Sequence, residues 1–139
     1  MYDNPWIYDN EPLLIPPQNA VGFVYIISDN IHDKLYIGKK LFFFSKSYQK
    51  NKKTKKKLVE SDWKSYYGSN KTLINIVNQY DNNSFSRSII HIAYSKSHAA
   101  YLESKEIFLR DAILSDKFYN DWVAAKITRN HMKKFQITT

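Results

Sequence analysis

Two runs rich in β-branched and aromatic residues, GFVYIISD (Gly22 to Asp29) and KLYIG (Lys34 to Gly38), lie four residues apart. Such runs fit a pleated, half-buried surface, and the stretch DNIHD between them carries turn chemistry. They read as two strands of a hairpin. The Asn-Gly pair of a tight two-residue turn is missing, which predicts a longer connection. LFFF (Leu41 to Phe44) extends or follows the second strand.

Further along, KTLINIVNQY places Leu73, Ile76, Val77 and Tyr80 at helical spacing, with Ser69 or Asn70 as N-cap and Asp81-Asn82-Asn83 as the stop. SFSRSIIHIAY (Ser84 to Tyr94) reads as a third strand. Ser95 or Ser97 caps a longer helix from about His98 to Leu114, and the basic last fifteen residues, with Lys126, Arg129, His131, Lys133 and Lys134, read as helical. Residues 1–20 hold Pro5, Pro12, Pro16 and Pro17, all the prolines of the chain, and read as an extended arm pinned by Trp6, Ile7, Leu13, Leu14 and Ile15. Residues 21–139 form the single domain. The order strand, strand, helix, strand, helix predicts an α+β fold, a small sheet, at least partly antiparallel, covered by helices.

With 139 residues and 43% hydrophobic content the chain has material for one core. No Cys is present, which excludes a disulfide framework, thiolate metal ligands and a Cys nucleophile. No apolar run reaches the length of a membrane span, so no membrane partner is expected. The opening MYDNPWIYDNEP is acidic and aromatic, unlike a signal peptide, so the expected location is the cytoplasm.

The net charge of +8 has a local origin. Lys46, Lys50, Lys52, Lys53, Lys55, Lys56 and Lys57 fall within twelve residues that contain no acid, and the rest of the chain is nearly neutral. The run reads as a basic loop, residues 45–60, that repels itself when nothing is bound. Phe42, Phe43, Phe44, Tyr48, Trp63, Tyr66 and Tyr67 border it. Lysines neutralise phosphates and aromatic rings stack on bases, so a polyanion is the expected partner, and the run by itself does not choose between DNA, RNA and an acidic membrane surface.

Three glycines, Gly22, Gly38 and Gly68, mark candidate backbone demands in a glycine-poor chain. Tyr25 and Tyr36 sit in the paired strands, where packing is the ordinary role of a Tyr. A proton-transfer role requires a neighbour that lowers the phenol pKa; Lys39 and Lys40 after YIG are candidates for that and equally for holding a phosphate. Glu103 is in helical register with Ala100, Ile107 and Leu114, and Glu106 with Leu102, Leu109 and Ile113; periodicity does not choose between them. The four His form no HxH or HxxxH pair, which disfavours a His-based zinc centre. GxGxxG, Walker and GxSxG signatures are absent, so no nucleotide cofactor is expected.

GFVYII followed by YIGKK resembles the GIY-YIG nuclease signature, through Phe23-Val24-Tyr25 and Tyr36-Ile37-Gly38. YLESKEIFL and the later FYN resemble that family's Leu-Glu helix and Asn, at Glu103 and Asn120. DWKSYYGSNKTL is similar to the D-W-x-x-Y-x-G-S segment of a phage-encoded, homing-endonuclease-like branch, in which a basic loop also follows YIG. The resemblance implies a three-stranded antiparallel sheet flanked by helices and a one-metal phosphodiesterase site. Tyr25 would be the general base or water activator, assisted by Tyr36. Glu103 would hold one divalent cation, Mg²⁺ or Mn²⁺, and Asn120 would support the geometry.

The family's Arg, about ten residues after the YIG tyrosine, has no counterpart here; that distance falls on Lys46. The phosphate clamp is then a lysine (Lys39, Lys40, Lys46, Lys64 or Lys71) or an Arg from elsewhere, with Lys40 and Lys64 favoured. The expectation is a metal-dependent endonuclease acting on duplex DNA, with Lys39, Lys46, Lys50, Lys52, Lys53, Lys55, Lys56, Lys57, Trp63, Tyr67 and Lys71 contacting the substrate. The rival is a catalytically inactive module of the same fold that binds DNA or RNA. Monomer and homodimer are both left open.

Overall fold

In the computed structural model, residues 1–123 and 126–137 are described. The hairpin forms as expected: β3 (Gly22–Asp29) pairs antiparallel with β4 (Lys34–Leu41), Tyr25 opposite Gly38, across a four-residue connection in which Asp33 takes φ 54°. The arm contributes two short strands, β1 (Ile7–Tyr8) and β2 (Glu11–Pro12). β7 (Phe85–Ala93) runs antiparallel to β3 on its other side and parallel to β1. The sheet is therefore five-stranded and mixed, order β2-β1-β7-β3-β4, larger than the three antiparallel strands implied by the resemblance. The short, proline-bearing stretch hid its pairing because only a few backbone groups take part.

The N-cap is Asn70, whose side chain accepts from the Leu73 N–H, and α1 (Lys71–Gln79) buries Leu73 and Val77. The longer helix α2 (Lys96–Leu109) starts after Ser95 and stops five residues short of Leu114; Asp111 lies in the left-handed region at φ 50°. The basic C-terminal segment is a 3₁₀ turn at Asn130–Phe135, not a long helix, and Phe135 stacks on His98 of α2 at 3.8 Å. Ala125, Thr138 and Thr139 of that expected helix lie outside the described residues.

Alternation along β3 sorts the core into two layers. Phe23, Tyr25 and Ile27 face Trp6, Trp63, Phe42 and α1, while Val24 meets Ile37, Ile107 and Ala112 beneath α2. Trp6 locks the arm in place, as it is fully buried, packs 5.0 Å from Phe23 and donates from Nε1 to the Trp63 carbonyl at 2.6 Å. Leu14 and Ile15, expected to pin the arm, are exposed.

The lysine run is an ordered element and not a loop. β5 (Phe43–Lys50) and β6 (Lys53–Glu60) form a separate two-stranded ribbon. Asn51 and Lys52 turn it with φ 53° and 61°, the left-handed pair that matches strand twist. The dense charge obscured a period-two pattern in the sequence.

Arg87 is almost fully buried and donates to the backbone carbonyls of Asn4, Lys64 and Tyr66, between the rings of Trp6 and Tyr67. It ties arm, sheet and the 63–66 turn together. Trp6→Ala is expected to lower stability by about 3–5 kcal/mol through cavity formation, read as a lower midpoint in urea denaturation.

Candidate active site

The cleft forms where β4 is the sheet edge, because groups from both faces reach it there. Tyr25 starts on the α1 face and crosses over Gly38, its partner in the register. A Cβ at Gly38 would overlap the Tyr25 hydroxyl, so glycine is required for the tyrosine to pass. Gly68, at φ 92°, closes the far side, where a Cβ would stand 3.4 Å from the same hydroxyl oxygen and 3.1 Å from the Tyr36 ring. A β-bulge beside Tyr25, where β7 carries the extra residue, sharpens the local twist.

From the other face, α2 brings Glu103. The resulting cavity of about 320 Å³ is lined by Tyr25, Tyr36, Lys39, Ser69, Glu103 and Asp121, with Trp122 at its rim. Tyr36 and Ser69 share a hydroxyl–hydroxyl hydrogen bond of 3.2 Å. Asn120 is placed by pairing with the open edge: its Oδ1 accepts from the Ile37 N–H at 2.9 Å and its Nδ2 donates to the Ile37 carbonyl at 2.8 Å. The Leu35 N–H donates to the Lys117 carbonyl and the Tyr119 N–H donates to the Leu35 carbonyl, so residues 117–120 cover an edge that would otherwise be open.

The two glutamates that periodicity could not separate have different surroundings. Glu106 accepts from His91 Nε2 at 2.9 Å and from Arg110 Nε at 3.0 Å. Burial pushes its carboxyl up, but these two partners outweigh burial and hold it below the usual range. Glu103 turns into the cleft, and burial raises its pKa; Lys39, 3.6 Å away, offsets only part of that rise. Glu103 is thus a partly desolvated carboxylate that is under-compensated. A carboxylate that faces an open cleft supplies one hard oxygen donor, which suits a divalent cation that keeps several waters. Among the described residues no group of three His, Cys, Asp or Glu forms a denser metal cage.

The pKa values of both tyrosines shift upward, with no lysine among the causes. Burial raises the pKa of Tyr25 well above the ordinary phenol value, and nearby Tyr66, Tyr36 and Glu103 add to it. Tyr36 is raised by burial too, against the Ser69 hydrogen bond. Both hydroxyls are protonated at neutral pH. Lys39 faces Glu103, whereas Lys40, one residue on and therefore on the opposite face, pairs with Asp62 at 2.6 Å and lies 4.1 Å over the Tyr66 ring.

Of the residues singled out in the sequence, Tyr25, Tyr36, Lys39, Glu103 and Asn120 converge on this cleft. Lys64 does not: it sits against the Tyr2 and Trp63 rings in a separate hollow with Asp3 and Tyr67. Trp63 is fully buried, donates to Glu60 and cannot stack on a base. Tyr67 is half-buried against Arg87, and Lys71 is exposed at the start of α1. Ser69 and Asp121 line the cleft and were missed as site residues; Ser69 lies in the quoted DWKSYYGS segment, which was the available signal.

The chain belongs to a family of GIY-YIG endonuclease domains: the family model described as "Putative endonuclease segE, GIY-YIG domain" matches residues 6–123. No curated protein and no solved structure matches it. The matched span runs from Trp6, the anchor of the arm, to Val123 at the edge of the cleft, and so includes every residue that lines the cleft.

The raised pKa of Glu103 sets a sign for linkage. A carboxyl titrating higher in the folded state binds more protons there, so stability is full below the unfolded pKa and falls as pH rises through the folded value. Glu103→Gln is therefore expected to raise the thermal midpoint at pH 7, with the gain vanishing below about pH 4, near the unperturbed Glu value. Asn120→Ala should lower the midpoint at both pH values, since it leaves the Ile37 N–H and carbonyl unpaired at about 1–3 kcal/mol each.

Proposed function

We propose that the protein is a metal-dependent endonuclease that hydrolyses phosphodiester bonds in duplex DNA and is phage-encoded. The observation that carries this reading is the meeting, at one strand edge, of an under-compensated carboxylate with a buried tyrosine, a half-buried tyrosine and one lysine. Membership of the endonuclease family supports it. Among the described residues no helix is long and apolar enough to cross a membrane.

Glu103 would hold the single cation, Mg²⁺ or Mn²⁺, with waters completing the shell. Bound there, the cation would supply charge stabilisation to the phosphate and its leaving oxygen. Tyr25 acts through a neutral hydroxyl. Its oxygen accepts a hydrogen bond from the attacking water and orients it, and a resting phenolate is opposed by burial and by Glu103. Tyr36, held by Ser69, provides a second hydroxyl at the same wall. Lys39 balances Glu103 in the free protein and turns to the scissile phosphate as a point charge, in the place of the fork an Arg would offer. Lys40 stabilises the strand end through Asp62 rather than clamping substrate.

The test is supercoiled-plasmid cleavage with Mg²⁺ or EDTA. Wild type is expected to nick or linearise only with metal, and Glu103→Ala and Tyr25→Phe should each lose at least about a hundredfold in rate, within the range removed when one positioned catalytic group is deleted. Glu106→Ala should keep most of the activity. The acid limb of the rate profile should lie above the ordinary carboxylate pKa, because ionised Glu103 is needed and burial raises its titration. Plasmid bound but left intact with Mg²⁺ and Mn²⁺ would instead establish a binding module of the same fold.

A further inference from the structure

The register of the ribbon divides its lysines between two faces. Directly opposed residues share a face, and successive residues alternate. One face carries Lys46 opposite Lys57, Tyr48 opposite Lys55, and Lys50 opposite Lys53. The other carries Ser45 opposite Leu58, Ser47 opposite Lys56, and Gln49 opposite Thr54. Five of the seven lysines thus share one exposed face, Lys52 sits in the turn, and only Lys56 lies on the reverse. The Lys57 ammonium lies 5.7 Å from the Tyr48 ring centre, consistent with that sorting.

This arrangement is unfavourable without a counter-charge. Lys46 and Lys57, and Lys50 and Lys53, are like charges placed directly across from one another, and no acid lies between Phe44 and Val59 to relieve them. A two-stranded ribbon has little stability of its own to offset that repulsion. Its dimensions fit an extended polyanion. Eight residues per strand span about 27 Å, and side chains on one face repeat at roughly 6.7 Å. The turn end, Gln49 to Thr54, carries no apolar side chain to enter a bilayer. The ribbon also springs from the strand that lines the cleft, with a single residue, fully buried Phe42, between β4 and β5.

We propose that the ribbon is a one-sided phosphate-binding element that lies along duplex DNA with the face formed by Lys46, Lys50, Lys53, Lys55 and Lys57 on the backbone, the reverse face taking no phosphate. This rests on duplex DNA being the substrate, as proposed above, but concerns binding and is tested without cleavage.

The experiment compares two variants of the full chain that lose the same charge from the same ribbon, Lys53→Gln/Lys55→Gln and Lys52→Gln/Lys56→Gln. Affinity for a random-sequence duplex is measured in EDTA by fluorescence anisotropy over a range of salt. The on-face pair should flatten the slope of log K against log salt by about 1.8, so that its deficit against wild type shrinks about tenfold between about 50 and 200 mM salt. The off-face pair should change the slope by less than half as much. Lys53→Arg/Lys55→Arg should retain the wild-type slope, which separates loss of charge from damage to the ribbon. Equal effects of the two Gln pairs, or loss of the slope in the Arg pair, would overturn the proposal. So would phosphatidylserine vesicles that bind as tightly as DNA with the same dependence on Lys53 and Lys55. Plasmid cleavage by wild type reports separately on the nuclease reading: an inert but one-sided binder would leave this inference standing and that reading overturned.

Discussion

The pairing of Tyr25 with Gly38 across β3 and β4 is the contact on which the rest of the site depends. A tyrosine in the middle of a sheet would ordinarily end in the core of its own layer. Here the missing Cβ opposite it leaves a path over β4, and the hydroxyl emerges at the sheet edge. An edge strand is accessible from both faces, which is why a residue of the α1 layer and Glu103 of α2 can line one cavity. The same exposure leaves backbone groups unpaired, and Asn120 with residues 117–120 meets that need by bonding Leu35 and Ile37.

The electrostatics of the cleft run against stability and toward reactivity. A buried and a half-buried phenol beside a half-buried carboxylate that one lysine compensates only in part are uncomfortable in the free protein, whereas Glu106, one turn along the same helix, is satisfied by two partners. Groups whose pKa values are shifted by burial in a cleft are characteristic of functional sites, though structural ion pairs shift them too. The distinction here is geometric: Glu106 is closed by its partners, and Glu103 faces open space.

The strands, helices and caps around the core were largely readable because each is a local signal: the period-two runs of β3 and β7, the N-cap at Asn70, the turn after Asp29. Other elements were hidden for identifiable reasons. The arm's strands are two residues each and flanked by proline, so pairing with β7 outweighs a sequence that reads as irregular. The ribbon was masked by charge, since a lysine run looks solvated whatever its backbone does. α2 ended early because Asp111 adopts a left-handed turn that helical spacing does not announce.

By itself, the sequence determined the β3–β4 hairpin and the layer class, while its resemblance to the GIY-YIG signature pointed to Tyr25, Tyr36, Glu103 and Asn120. Tertiary structure alone decided which cation meets that set, and which face the others take. Lys39 and Lys40 are neighbours in the chain, yet strand alternation turns one to Glu103 and the other to Asp62. It also withdrew Trp63 into the core, moved Lys64 to another hollow, and sorted the ribbon lysines by register. Composition gives the residues available for contact, but side-chain direction depends on backbone parity and on what packs against each face, and these exist only once strands are paired.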